Sequence, residues 1–278
     1  MAEDAVTWTM DARGVVTVTL NRPERNNAYN GAMIAGLAAA VDALEEADTA
    51  ASNTSGASGD AAQQRVRAVV VTGAGRCFQA GADLDWLADV RDGGADANSA
   101  ASRATAEVVD RFNQLPVPTF AAVHGACIGG GTGLLAAADV VVAADTAKFA
   151  ISEVRWGLTA AIIVPHLIDA IGARNVRRYA ITGERFDADD AARIGLVHDV
   201  VPEAQLHDRV AELVAQTLGN APDAIAETKA HVLAATTAQS ASTDLSELIE
   251  AHARKRQSAE AGEGIASFKE KRPARWTP

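Results

Sequence analysis

Four short runs rich in apolar residues recur over residues 15–144, with segments of helical character between them. They are residues 15–20 (VVTVTL), 66–72 (VRAVVVT), 119–124 (TFAAVH) and 140–144 (VVVAA). Each has strand length and is rich in β-branched or small apolar residues. The first intervening segment places Met33, Leu37, Ala40, Val41 and Leu44 at helical spacing, with Asn30 positioned to cap a helix over residues 31–46. Strands alternating with helices predict parallel βα units and an α/β fold. Pro116 and Pro118 end the helix before the third strand, because proline has no N–H to continue it. From Pro202 onward the pattern is helical throughout. A boundary is therefore expected near Val201, between a core of residues 1–201 and a helical region of residues 202–278. Two stretches poor in large apolar residues, 48–64 and 92–102, read as flexible surface insertions.

Charge and cysteine content narrow the function classes. The 278 residues carry a formal net charge of -11. That opposes binding to nucleic acid or an anionic membrane, where clustered Lys and Arg replace counterions. The apolar stretch 134–144 is cut by Asp139, too early to span a bilayer. The N-terminal MAEDAVTWTM is acidic, so no signal peptide is expected. Cys77 and Cys127 do not make a disulfide framework, which predicts a reducing cytoplasm, and both read as small buried hydrophobes in preference to nucleophiles. The six histidines form no ligand-spaced pair, so no metal site is expected, and His124 reads as a satisfied buried histidine. No G-x-S-x-G elbow occurs.

Chemistry is signalled by two strand-to-helix loops that lack large side chains. Ala80-Gly81-Ala82 lies in CFQAGADLDWL (77–87), and Gly129-Gly130-Gly131 lies in GACIGGGTG (125–133). A dinucleotide turn needs G-x-G-x-x-G with a distant acid, and a P-loop needs Gly-Lys-Ser/Thr; neither loop supplies them. Glycines for close helix–strand packing would explain either loop alone. Two such loops in one chain also fit a pair of backbone N–H groups converging on one oxygen, which is what an enolate or tetrahedral oxyanion requires.

These segments, FQAGADL and VHGACIGGGTG, together with NRPERNNAYN, AAAD, SEVRWGL, RIGLVHDVV and EGIASFKEKRPARW, resemble the enoyl-CoA hydratase/isomerase (crotonase) superfamily in order and spacing. The resemblance covers nearly the whole chain. It implies a spiral of ββα repeats with a C-terminal helical region that drives trimerisation, giving a homotrimer or a dimer of trimers. It implies an acyl-CoA substrate, with coenzyme A entering as part of that substrate and no separate cofactor. The amides of Ala82 and Gly130 match the family's oxyanion hole. Arg25 matches the coenzyme A entrance, where it meets phosphate or remains a solvated arginine. Ala28, Ala80, Gly81, Asp83, Leu84, Gly129, Gly133 and Trp156 fall at positions that line the ligand. Asp83 precedes Leu84 and reads as a helix cap in preference to an acid.

The chain departs from the family at its carboxylates. A typical hydratase has one Glu two residues after the glycine triplet and another in the following "SE" segment. The second is Glu153; the first falls on Gly133. Glu153 has apolar neighbours in Ile151, Val154 and Trp156, so a pocket wall with a raised carboxyl pKa is expected. The leading reading is hydration of a 2-enoyl-CoA by Glu153, near the glutaconyl-CoA-type hydratases. Double-bond isomerisation by one carboxylate and non-catalytic binding of a CoA thioester are the alternatives.

Overall fold

The computed structural model describes residues 4–53, 65–237, 245–256 and 258–277. β1 (Val6–Met10) pairs antiparallel with β2 (Val15–Leu20), and a loop leads to α1 (Gly31–Asn53). β3 (Ala68–Gly73) leads to α2 (Leu84–Asp92) and α3 (Gly94–Gln114). β4 (Thr119–Val123) passes directly to β5 (Ala126–Ile128) and α4 (Gly130–Ala136). β6 (Val140–Ala144) passes to β7 (Lys148–Ala150), a 3-10 turn at Glu153–Trp156, and α5 (Val164–Thr182). β8 (Phe186–Asp187), α6 (Ala188–Ile194) and β9 (Asp199–Val201) follow. The chain ends in α7 (Leu206–Leu218), α8 (Pro222–Thr237), α9 (Leu245–Arg256) and α10 (Ala259–Glu270).

The large sheet has the order β1-β2-β3-β4-β6-β9 and is parallel apart from β1. A smaller sheet has the order β5-β7-β8. The steps β4→β5 and β6→β7 each carry the chain from the large sheet to the small one. Isolated parallel bridges, Gln79 to Cys127 and Tyr29 to Ala82, repeat that step where the chain leaves β3 and β2. Four turns of a spiral therefore stack their second-layer segments side by side. This stacking brings the two thinned loops together.

The helices form where the sequence places their caps and buried faces. Asn30 Oδ1 accepts from Met33 N at 3.0 Å, and Met33, Leu37, Ala40, Val41 and Leu44 of α1 are buried. On the opposite face of the large sheet, Leu206, Val210, Val214 and Leu218 of α7 cover Phe120, Ala122, Val142 and Ala144. β9 ends at Val201, where a boundary is expected, and α7 beyond it packs on the large sheet.

Three expectations change. Residues 92–102 are not a flexible insertion: α2 reaches Asp92 and α3 starts at Gly94. Their Ala-rich composition favours helix, and Val108, Val109 and Phe112 anchor the same helix in the core. Asn98 also reaches back, donating to the carbonyls of Val90 and Gly94, each at 2.7 Å. The 48–64 stretch is helical through Asn53 in α1, and 54–64 lie outside the described residues. β1 was not foreseen; as an edge strand it buries Val6 and leaves its other residues exposed, so it lacks a strong apolar signal.

Candidate active site

The two loops meet at the floor of a cleft of about 1160 Å³. Gly81 and Gly129 both have positive φ, at 88° and 55°, which a side chain rarely permits. A Cβ on Gly129 would stand 3.8 Å from Gly81 Cα and 3.1 Å from Glu153 Oε1, so the carboxylate and both loops share one point.

The peptides at this point are oriented through their carbonyls. Gly81 O accepts from Tyr29 N at 2.8 Å. Because a trans peptide turns its N–H opposite to its C=O, the Ala82 N–H faces away from Tyr29. Gly129 O accepts from both Thr132 N, at 2.8 Å, and Thr132 Oγ1, at 2.7 Å. The same planarity turns the Gly130 N–H out of α4. Among the described residues neither N–H donates to a protein acceptor, and both residues line the cleft. This is how an anion-binding pair must be built, since its donors have to be free before the ligand arrives.

Glu153 opens the 3-10 turn that follows β7. Its Oε2 is buried without a hydrogen-bond partner among the described residues. Burial raises its pKa, and the amides of Glu153 and Ser152 offset that only in part. Ile151 beside it is buried, whereas Val154 and Trp156 are exposed and only Trp156 reaches the cleft rim.

Ala28, Ala80 and Leu84 line the same cleft. Arg25 lines its mouth, paired at 3.1 Å with the exposed Asp85. Asp83 caps α2 by accepting from Asp85 N at 3.1 Å, and pairs with Arg22 at 2.9 Å. Burial opposes its ionisation, but Arg22 and the α2 amides outweigh burial and hold the carboxyl below its ordinary value. It lines the cleft as a structural group with both roles occupied.

Gly133 is the exception. It is absent from the lining, and a Cβ there would stand 2.2 Å from Ile163 Cγ2 and 2.6 Å from Ile163 Cβ. Ile163 itself lines the cleft, so a branched apolar side chain fills the space that a carboxylate at position 133 would need. Nothing in the local motif marked Ile163, which lies thirty residues on.

Sequence reasoning also passed over Tyr29, whose ring packs edge-on to Trp86 with centroids 5.8 Å apart. Burial, then the nearby charge of Glu153, pushes its phenol pKa up to about 12. Lys148, Arg155 and Arg185 line the cleft with no acidic partner among the described residues. Cys127 is buried, which pushes its thiol well up and away from nucleophilic use, while Cys77 lines the cleft half-buried. His124 contacts Gly75 O through Nε2 at 2.9 Å. No metal-binding group of three His, Cys, Asp or Glu exists among the described residues.

The chain matches known proteins along most of its length. The family model described as enoyl-CoA hydratase/isomerase matches residues 11–278. A mevalonyl-coenzyme A hydratase of Beauveria bassiana is 31% identical over 94% of this chain and 91% of its own. A 1,2-epoxyphenylacetyl-CoA isomerase of Escherichia coli is 32% identical over 72% of this chain and 71% of its own. The crystal structure of an enoyl-CoA hydratase from Shewanella pealeana superposes with a TM-score of 0.86 at 29% identity, covering 98% of this chain and 96% of that one. The spiral is thus the crotonase fold, with a helical C-terminal region. Because the match runs through both thinned loops, the Glu153 turn and the terminal helices alike, the chain belongs to the enoyl-CoA hydratase/isomerase family.

Proposed function

We propose that this protein hydrates a 2-enoyl-CoA thioester. The observation that carries the reading is the buried Glu153 Oε2 beside two loops with the Ala82 and Gly130 amides, none of the three having a hydrogen-bond partner among the described residues. The thioester carbonyl accepts from both amides. Glu153 removes a proton from water as the oxygen adds to the β-carbon, charge collects on the thioester oxygen, and Glu153 returns the proton to the α-carbon. The amides act where charge develops, so they lower the barrier more than they tighten the ground state. Lys148, Arg155 and Arg185, which have no acidic partner among the described residues of a protein of net charge -11, suit the phosphates of coenzyme A. The reaction so written uses no cofactor beyond the coenzyme A of the substrate. Unpaired Cys77 and Cys127 suit a cytoplasmic enzyme, and no described helix is long and apolar enough to cross a membrane.

A second reading is favoured by Ile163, which occupies the room for a second carboxylate. In isomerisation, one carboxylate takes a proton from one carbon of a 3-enoyl-CoA and returns it to another. Both reactions are assayed with crotonyl-CoA and a 3-enoyl-CoA in deuterium oxide. Hydrated product from crotonyl-CoA is the expected result. Isomerised product without any hydrated product overturns the hydratase reading, and binding without either product leaves a CoA-thioester binding protein.

A further inference from the structure

The reaction proposed above needs water held in place, and Glu153 is a single carboxylate. Among the groups lining the cleft, Asp83 is occupied by Arg22 and Asp85 by Arg25. Position 133 is closed by Ile163. One further protonatable group stands against the Gly129–Gly130 peptide. A Cβ on Gly130 would lie 2.6 Å from Tyr29 Cε1 and 3.3 Å from Tyr29 Cζ, while a Cβ on the adjacent Gly129 would lie 3.1 Å from Glu153 Oε1. Tyr29 and Glu153 therefore flank one peptide from neighbouring residues. The Tyr29 backbone is fixed as well, donating to Gly81 O at 2.8 Å and accepting from Asp83 N at 2.9 Å. The edge-on contact with Trp86 limits the ring from another side. The phenol makes no hydrogen bond to another described residue, although the ring lies in the cleft wall.

We propose that the phenol of Tyr29 holds the attacking water beside Glu153, filling the place of the missing second carboxylate. The water donates one hydrogen to the phenol oxygen and the other to Glu153. Its oxygen bonds to the β-carbon as the second O–H bond breaks, and Glu153 then delivers that proton to the α-carbon. The phenol keeps its own proton throughout, so one acid accounts for the whole transfer and the atoms balance. Glu153, with its charge nearby, opposes formation of a tyrosinate, which suits a group that orients water without ionising.

This inference rests on the hydratase reading, and Tyr29→Phe separates the two. Phe keeps the ring against Gly130 and Trp86 and removes only the hydroxyl. Hydration of crotonyl-CoA is followed by loss of the conjugated-thioester absorbance, beside binding of a saturated acyl-CoA and the circular dichroism spectrum. The expected result is a kcat lower by about 10- to 100-fold, the cost of one lost hydrogen bond to a reacting group, with KM and thioester affinity within about twofold of wild type. Wild-type kcat in Tyr29→Phe overturns the inference while the hydratase reading stands. So does a loss confined to KM or to folding, because a packing role predicts that pattern. A wild type that hydrates nothing defeats both.

Discussion

Glu153 is held in a costly state. Its carboxylate stands beside glycine backbone with one buried oxygen that has no partner among the described residues, so burial favours the neutral acid. The folded pKa is raised, so the protein binds this proton more tightly than the unfolded chain does. Stability from the site is full at low pH and declines as pH rises through the raised pKa. Glu153→Gln removes that charge. Turnover is expected to fall by about two to four orders of magnitude, while the thermal midpoint at neutral pH stays level or rises. A midpoint several degrees lower would show that the carboxylate is instead a stabilising partner. As a base, Glu153 acts when ionised, so kcat is expected to climb with pH on an acidic limb displaced above the ordinary carboxylate range. Gly133→Glu tests the position that Ile163 closes. Its side chain would collide with Ile163, and overpacking costs about 1–3 kcal/mol before burial of the new charge is counted. Lower stability with no gain in hydration is expected. Differential scanning calorimetry of this variant, alone and combined with Ile163→Ala, checks the cause, since the smaller residue should restore part of the loss.

At the scale of elements, α4 shows how a short helix aims an amide. α4 starts at Gly130, within the glycines themselves. Thr132 is the reason, because its N–H and hydroxyl both satisfy the Gly129 carbonyl and close the first turn over the glycines. Thr132→Val keeps the shape and leaves Gly129 O with the backbone bond alone. A loss of about 1 kcal/mol of stability follows from one buried hydrogen bond. Because the same carbonyl sets the direction of the Gly130 N–H, kcat is expected to fall by more than the stability loss implies. Urea unfolding and steady-state kinetics on the one variant provide both numbers. Unchanged kcat would mean that the glycine backbone holds its orientation without Thr132.

The terminal helices carry exposed apolar residues. Val232, Ile249, Ile265 and Phe268 are exposed, Phe268 at 85%. Single exposed apolar residues are ordinary, and four of them on three successive helices suit contact with another protein surface. We propose that these helices pack between copies of the chain in a homotrimer or a dimer of trimers. Light scattering at micromolar concentration is expected to give three or six times the 28.7 kDa chain mass. Phe268→Asp, which places a charge in that contact, is expected to shift the mass toward monomer. A stable wild-type monomer would contradict the assembly.

Residues 119–124 and 140–144 announced their strands because burial on both faces demands apolar runs, residues 15–20 and 66–72 did so through β-branched residues, and local chemistry likewise placed the Asn30 and Asp83 caps. The thinned loops were legible for a similar reason: backbone exposed to a ligand excludes side chains wherever the chain finally lies. The length of α3 was hidden, since an Ala-, Ser- and Asn-rich run reads as loop until Val108, Val109 and Phe112 draw it into the core. Ile163 and Tyr29 were hidden more deeply. One closes position 133 from thirty residues away, and the other meets Gly130 from a hundred residues before it. Local sequence decides which groups a segment can offer. Only the stacking of spiral turns decides which groups stand within reach of one another, because that packing joins residues with no relation along the chain.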